Sequence, residues 1–205
     1  MAASVPPAPV HNREHKPVAL REGLELAIRR GGPRGRGDPI VTEQDPALLA
    51  GIRMARLPVW PDDRGYFLEV ARLGRDWAQD FGVLGSAEGA VQVSATLSYP
   101  GTIKALHYHC RQTDLWAPVA GMFQVCLYDL RVDSPTFART NTLYIGYLRP
   151  WGLRIPPGVA HGYKVLGSEP ALLVYVTDRF YDPTDEGRLP YDDPDINYDW
   201  ELQHR

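Results

Sequence analysis

From Ile52 onward, apolar and polar residues exchange places with a period of two. VQVSATLSY (91–99) alternates strictly: Val91, Val93, Ala95, Leu97 and Tyr99 share one face, and Gln92, Ser94, Thr96 and Ser98 share the other. TIKALHYH, MFQVCLYDL, NTLYIGYL, GLRIP, YKVLG and ALLVYVT follow as further short runs. Tyr-Pro-Gly, Ser-Pro, Arg-Pro-Trp-Gly and Pro-Pro-Gly turn signals separate them. Many short strands at this spacing predict a sandwich or barrel, with one face of each strand turned into the lumen. A polar lumen face carrying Gln92 and Ser94 makes sense where the lumen is a binding site. RDWAQDF (75–81) predicts a short helix within this region, and the tail at 181–200 is turn-rich and aromatic.

Residues 1–50 have a different texture. Pro6, Pro7, Pro9 and Pro17, then the run RRGGPRGRGDP, are loop or linker composition. VALREGLELAIRR (18–30) predicts a short helix with Leu20, Leu24 and Ala27 on one side. The segment reads as an arm that packs on the domain or on a partner subunit, with partial disorder as the alternative. Residues 51–205 then form the domain proper.

The candidate chemistry lies in GTIKALHYHCRQTDLWAPVAG (101–121) and PPGVAH (156–161). Of six histidines, His11, His15 and His204 lie near the termini, so every histidine of the central chain belongs to these two segments. Residues two apart in a strand point the same way, which puts His107 and His109 on one face, with Asp114 five residues further on. Ile103 and Ala105 fall on that face too, and Lys104 points away unless a bulge re-aims the chain. Imidazoles converging on a carboxylate make either an acid–base site or a metal site.

Composition narrows the partners. A formal net charge of −3 offers no basic field for nucleic acid. No run of about 18 apolar residues predicts a membrane span. Two cysteines without a CxxC spacing and no apolar leader predict a reducing, cytoplasmic location.

Seven segments resemble the dTDP-4-dehydrorhamnose 3,5-epimerase family of the cupin jelly rolls. They are DDRGYFLE (62–69), VQVS (91–94), GTIKALHYH (101–109), DLRVDSPTF (129–137), LRIPPGVAHGY (153–163), VYVTDRFYDPTDEG (174–187) and YDDPDINYDW (191–200), in the family's order. The resemblance implies an all-β, cupin-type double-stranded β-helix (jelly roll) with an N-terminal extension and a few short helices. It implies an isomerase acting on a nucleotide-linked 4-keto-6-deoxyhexose, working as a homodimer without a cofactor. His107 is then the base and Tyr175 the opposing acid. Arg64, Glu69, Gln92, Lys104, His161 and Glu186 meet the sugar and diphosphate, with Ser94 beside Gln92, and Tyr181 stacks on the base. Carbons 3 and 5 flank a ketone, so their protons are acidic; imidazole can take one, and a phenol can return one to the other face.

Three positions depart from the family. His109 stands for its Gln and Asp114 for its Lys. The acid beyond the final tryptophan that orients the catalytic histidine has no match after Glu201. The first two departures agree with the metal-binding cupin spacing G-x5-H-x-H-x4-E-x6-G, met by Gly101, His107, His109, Asp114 and Gly121, with His161 from the second segment. The alternative reading is therefore a metal-dependent cupin enzyme whose His107, His109, Asp114 and His161 hold a divalent transition metal. A metal-bound His107 is no base, so the two readings exclude each other there. A non-catalytic sugar-binding cupin is the third reading. Plainer roles stand beside these: an Asp114 ion pair with Lys104 or Arg111, an Arg64–Glu69 pair bracing a hairpin, and SPTF (134–137) as a structural turn.

Overall fold

The computed structural model describes residues 14–71 and 91–201. Fifteen strands run through them: β1 (His15–Arg21), β2 (Leu24–Arg29), β3 (Asp38–Pro39), β4 (Arg53–Arg56), β5 (Val59–Asp62), β6 (Gly65–Leu68), β7 (Gln92–Ser98), β8 (Ile103–His109), β9 (Asp114–Ala120), β10 (Met122–Asp129), β11 (Thr140–Gly146), β12 (Trp151–Ile155), β13 (Val159–Leu166), β14 (Ala171–Thr177) and β15 (Glu186–Arg188). A six-stranded sheet in the order β15-β8-β13-β10-β11-β3 faces a five-stranded sheet in the order β4-β12-β9-β14-β7. This is an all-β sandwich, as the alternating runs predict, in the jelly-roll form that the family resemblance implies.

The core lies between the two sheets because each strand sends every second side chain there. Phe123, Val125 and Leu127 of β10 and Leu143 and Ile145 of β11 meet Trp116, Leu153, Ile155 and Leu173 from the facing sheet, all essentially buried. The intervening residues of β10, Cys126 and Tyr128, face the other way and are apolar too, so the outer side of the large sheet needs a cover. Leu26 and Ile28 of β2 supply it from one end of the chain, and Ile196, Tyr198 and Trp200 from the other.

That cover corrects the helix expected over 18–30: the segment is the β1–β2 hairpin. Glu22 and Gly23 both have positive φ (49° and 86°), as a two-residue hairpin loop of type I′ requires. Leu24, Leu26 and Ile28 lie on alternate residues, a strand period that a helix reading of Leu20, Leu24 and Ala27 conceals. The rest of the described extension is also packed on the domain, with β3 pairing in parallel with β11 and Ile40 and Leu49 buried in the main core. The described residues include no helix. The segment 75–81 lies outside the described residues.

SPTF is a turn. Ser134 Oγ and Thr136 Oγ1 both donate to Asp129 Oδ2 at 2.6 Å, and Arg131 Nε donates to Oδ1 at 2.8 Å.

Candidate active site

One cavity, of about 680 Å³, opens between the two sheets where β8 and β14 face each other. Its walls carry Lys104, His107 and His109 from β8, Asp114 and Trp116 from β9, and Tyr175 from β14. A second cavity of similar size lies beside Arg149 and Trp151, where the guanidinium stacks 4.4 Å over the indole. Among its described wall residues Glu43 is the only acid and none is a histidine, so these offer no acid–base pair.

A bulge decides which β8 residues enter the first cavity. His161 pairs with His107 and Tyr163 with Lys104, so two steps on β13 oppose three on β8. The extra residue shifts the alternation by one. Lys104 and His107 therefore come into phase on the cavity side, and Ile103, Ala105 and Leu106, which also touch its wall, pack on the outer cluster. This corrects the expectation that Ile103 and Ala105 share the histidine face. Lys104 Nζ donates to Thr96 Oγ1 at 2.6 Å across the cavity wall.

The histidines cluster. The His107 and His161 ring centroids are 4.1 Å apart, and those of His107 and His109 are 5.5 Å apart. Asp114, buried beneath them, lies 3.5 Å from His161 Nε2 and 3.8 Å from His109 Nε2. It accepts from Gln112 Nε2 at 2.8 Å and, more weakly, from Trp116 Nε1 at 3.4 Å. Asp114 pairs with neither Lys104 nor Arg111; Arg111 forks onto Asp182 and Asp185 instead. Burial alone would raise the Asp114 carboxyl, but the facing His161, His109 and His107 outweigh it and hold it well below the usual carboxylate range. Burial first, then His161, lowers His107 well below the usual imidazole value, against the pull of Asp114.

The structure gathers Gln92, Lys104, His107, Tyr175, Tyr181 and Glu186 on this one cavity. His161 stands behind the wall against His107, and Ser94 accepts from Gln92 Nε2 at 3.1 Å. Gln92 Oε1 in turn accepts from the Tyr181 backbone N–H at 2.9 Å, tying the Tyr181 segment to β7. Arg64 and Glu69 are outside the cavity wall. Arg64 sits on the β5–β6 hairpin and pairs with Asp62 at 2.5 Å, so the expected Arg64–Glu69 brace is replaced by a pair within the turn.

Two wall residues escape the sequence reading. Arg188 pairs opposite His107 and binds Glu186 at 2.6 Å, placing a cation at the cavity mouth. Its signal is its position two residues beyond Glu186 on an edge strand. Gln112, held between Asp114 and His109 (3.2 Å to Nε2), gives no signal until the turn it sits in is known.

Comparison with known proteins adds four relationships. Residues 46–205 match the family model described as dTDP-4-dehydrorhamnose 3,5-epimerase. The chain is 42% identical over 160 residues to the spore coat polysaccharide biosynthesis protein SpsL of Bacillus subtilis, covering 77% of this chain and 100% of that protein. It is 36% identical over 156 residues to the probable low-salt glycan biosynthesis epimerase Agl13 of Haloferax volcanii, covering 74% and 94%. Among solved structures, a dTDP sugar isomerase from Desulfovibrio desulfuricans aligns at a TM-score of 0.65 and 30% identity, covering 74% of this chain and 92% of the other.

Proposed function

The chain belongs to the dTDP-4-dehydrorhamnose 3,5-epimerase family and is an isomerase of that class, and from this we propose that it epimerises a nucleotide-linked 4-keto-6-deoxyhexose at carbon 3, carbon 5 or both. His107 takes the proton from the carbon beside the ketone. The electron pair moves onto the ketone oxygen as an enolate, and Tyr175 returns a proton from the opposite face. The observation that carries this reading is that His107 and Tyr175 come from different sheets yet line one cavity. Lys104, hydrogen-bonded to Thr96, is the ammonium available to the enolate oxygen or the sugar. Arg188 and Tyr181 at the mouth suit a diphosphate and a nucleobase, the first through its guanidinium fork and the second through its exposed ring.

The functional unit in this proposal is a homodimer. The outward face of β7 bears Val93 and Leu97, and Tyr99 follows directly after it; they are 60%, 63% and 72% exposed, a run of apolar surface along an edge strand. The β5–β6 hairpin carries exposed Trp60 and Phe67 beside Arg64. A second copy covering these faces would bring Arg64 and Glu69 toward its partner's cavity. The proposed location is the cytoplasm, in keeping with free Cys110 and Cys126. No described helix is long and apolar enough to cross a membrane.

Incubation with a dTDP-4-keto-6-deoxyhexose in deuterated water tests the reaction. Deuterium should enter at carbon 3 or carbon 5. A folded enzyme that exchanges neither position with any such sugar refutes the proposal.

A further inference from the structure

We propose that Arg21, at the tip of the β1–β2 hairpin, is a positioning residue that braces the segment 181–188 forming the mouth of the substrate cavity. What the mouth binds rests on the epimerase reading; the brace itself does not. The hairpin lies before residue 46, where the family match begins, so membership of the family assigns it no role.

The segment carries three wall residues of the cavity, Tyr181, Glu186 and Arg188. Its ends are held by the domain. The Tyr181 N–H donates to Gln92 Oε1 at one end, and β15 pairs with β8 at the other. Between them Asp182–Asp185 is a turn. The Asp185 N–H donates to the Asp182 carbonyl at 2.9 Å, and Asp182 Oδ1 accepts from the Thr184 N–H and hydroxyl at 2.8 and 2.7 Å. Those bonds shape the turn without fixing it in place. Two arginines fix it. Arg111, just after β8, binds Asp182 at 2.7 Å and Asp185 at 3.3 Å. Arg21 takes the backbone: its Nη1 donates to the Thr184 carbonyl and its Nη2 to Thr184 Oγ1 at 3.5 Å. Among the described residues no backbone N–H uses that carbonyl.

The guanidinium comes from an anchored base. Leu26 and Ile28 of β2 are buried in the outer cluster, the Ala27 N–H donates to the Leu130 carbonyl at 2.9 Å, and Lys16 Nζ donates to Asp193 at 3.0 Å. Arg21 ends β1, and the Glu22–Gly23 loop follows at once. Its backbone is therefore ordered before the bond to Thr184 forms, and the bond costs little further entropy. Glu22 contributes less. Its exposed carboxylate stands 3.9 Å from Arg111 Nη1, and a surface pair at that distance is weak. Removing Arg21 leaves His107 and Tyr175 on their own strands and frees only the turn between Tyr181 and Glu186. The loss therefore falls on the binding of the nucleotide diphosphate, equally in ground and transition states, and raises KM while leaving kcat alone.

The test uses the full chain and Arg21→Ala. Hydrogen exchange followed by mass spectrometry reads 182–188, with β10 and β13 as references. Loss of one hydrogen bond predicts exchange about 2- to 10-fold faster at 182–188 and parental rates in the references. Tm should stay within about 2 °C of the parent, as for other exposed substitutions. Calorimetric titration with dTDP should show Kd raised about 2- to 10-fold, and epimerisation should show KM raised alike with kcat unchanged. Arg21→Lys keeps a donor and should recover most of each loss. Leu20→Ala, on the same strand at a position 76% exposed, should move none of them. Parental exchange at 182–188 in Arg21→Ala overturns the proposal. So does a rise shared equally by β10 and β13, because Arg21 then acts through the stability of the whole domain, and so does a fall in kcat at constant KM. A chain whose exchange and dTDP binding respond as stated, yet whose parent epimerises no 4-keto sugar, upholds the brace and counts against the epimerase reading alone.

Discussion

Replacing Gly162 with alanine strikes the bulge from the strand opposite it. Gly162 lies on β13 between His161 and Tyr163, whose partners are His107 and Lys104. A Cβ at Gly162 would stand 2.4 Å from the Ala105 Cβ, 2.6 Å from its Cα and 2.7 Å from the Lys104 carbonyl oxygen. Carbon atoms in good contact keep about 3.5–4.0 Å apart. The overlap is therefore about 1 Å, against backbone that no side-chain rotation can clear, and β8 must back away. We expect the cost of overpacking, about 1–3 kcal/mol, read as a fall in Tm of roughly 2–4 °C per kcal/mol for a chain of this size. The same retreat moves His107 and Lys104 away from Tyr175 on the facing sheet. A misplacement of about 1 Å is worth about 100-fold in rate, so kcat/KM should drop by that order. Gly35→Ala is the control: nothing lies within 4 Å of its Cβ position and its φ is not left-handed, so neither quantity should move. Thermal melts followed by circular dichroism, with epimerisation rates on the same preparations, decide the matter. A Gly162→Ala protein with parental Tm and parental kcat/KM refutes the claim that tight β8–β13 contact positions the base.

Three further outcomes are expected. Tyr175→Phe should slow net epimerisation about 10²- to 10⁴-fold while deuterium exchange at the sugar persists, because His107 still removes the proton; equal loss of both in product NMR would place Tyr175 outside the protonation step. Leu97→Asp puts a charge on the apolar face of β7, and sedimentation should show a dimer giving way to monomer; an unchanged parental dimer would locate the interface elsewhere. Burial raises the Asp129 carboxyl, but hydrogen bonds from Arg131, Ser134 and Thr136 overcome this and hold it below its usual value. A carboxyl depressed in the folded state stabilises fully above its unfolded value of about 4, and that contribution is lost as the pH falls through the folded value. Urea melts of the parent and Asp129→Asn should therefore differ most at neutral pH and converge in acid, and a gap that is constant across pH would contradict the assignment.

How much of this was legible beforehand differs from element to element. The alternation of Val91 to Tyr99 reads directly as a half-buried strand, and β7 shows Gln92, Ser94 and Thr96 turned inward, as expected. The histidines of the HxH segment share a face because the period of two holds between 107 and 109. The same rule fails three residues earlier, where the bulge adds one residue on β8. For Leu20, Leu24 and Ala27 a helical stripe and a strand alternation share several positions, and the choice between them fell to the apolar outer face of the large sheet. Leu26 and Ile28 cover that face as strand residues. Arg188 and Gln112 were illegible because each owes its role to a neighbour distant in the chain or to a turn.

Residue order alone determined the strands, the shared direction of His107 and His109, and the supply of an acid, a base and a carboxylate, since these follow from local periodicity and side-chain chemistry. The folded chain decided that Lys104 joins His107, that Asp114 lies beneath three imidazoles and pairs with no described lysine or arginine, and that Tyr175 looks across at them from the other sheet. Those are relations between strands far apart in sequence, set by register, by one bulge and by which buried groups find partners, and no local pattern encodes them.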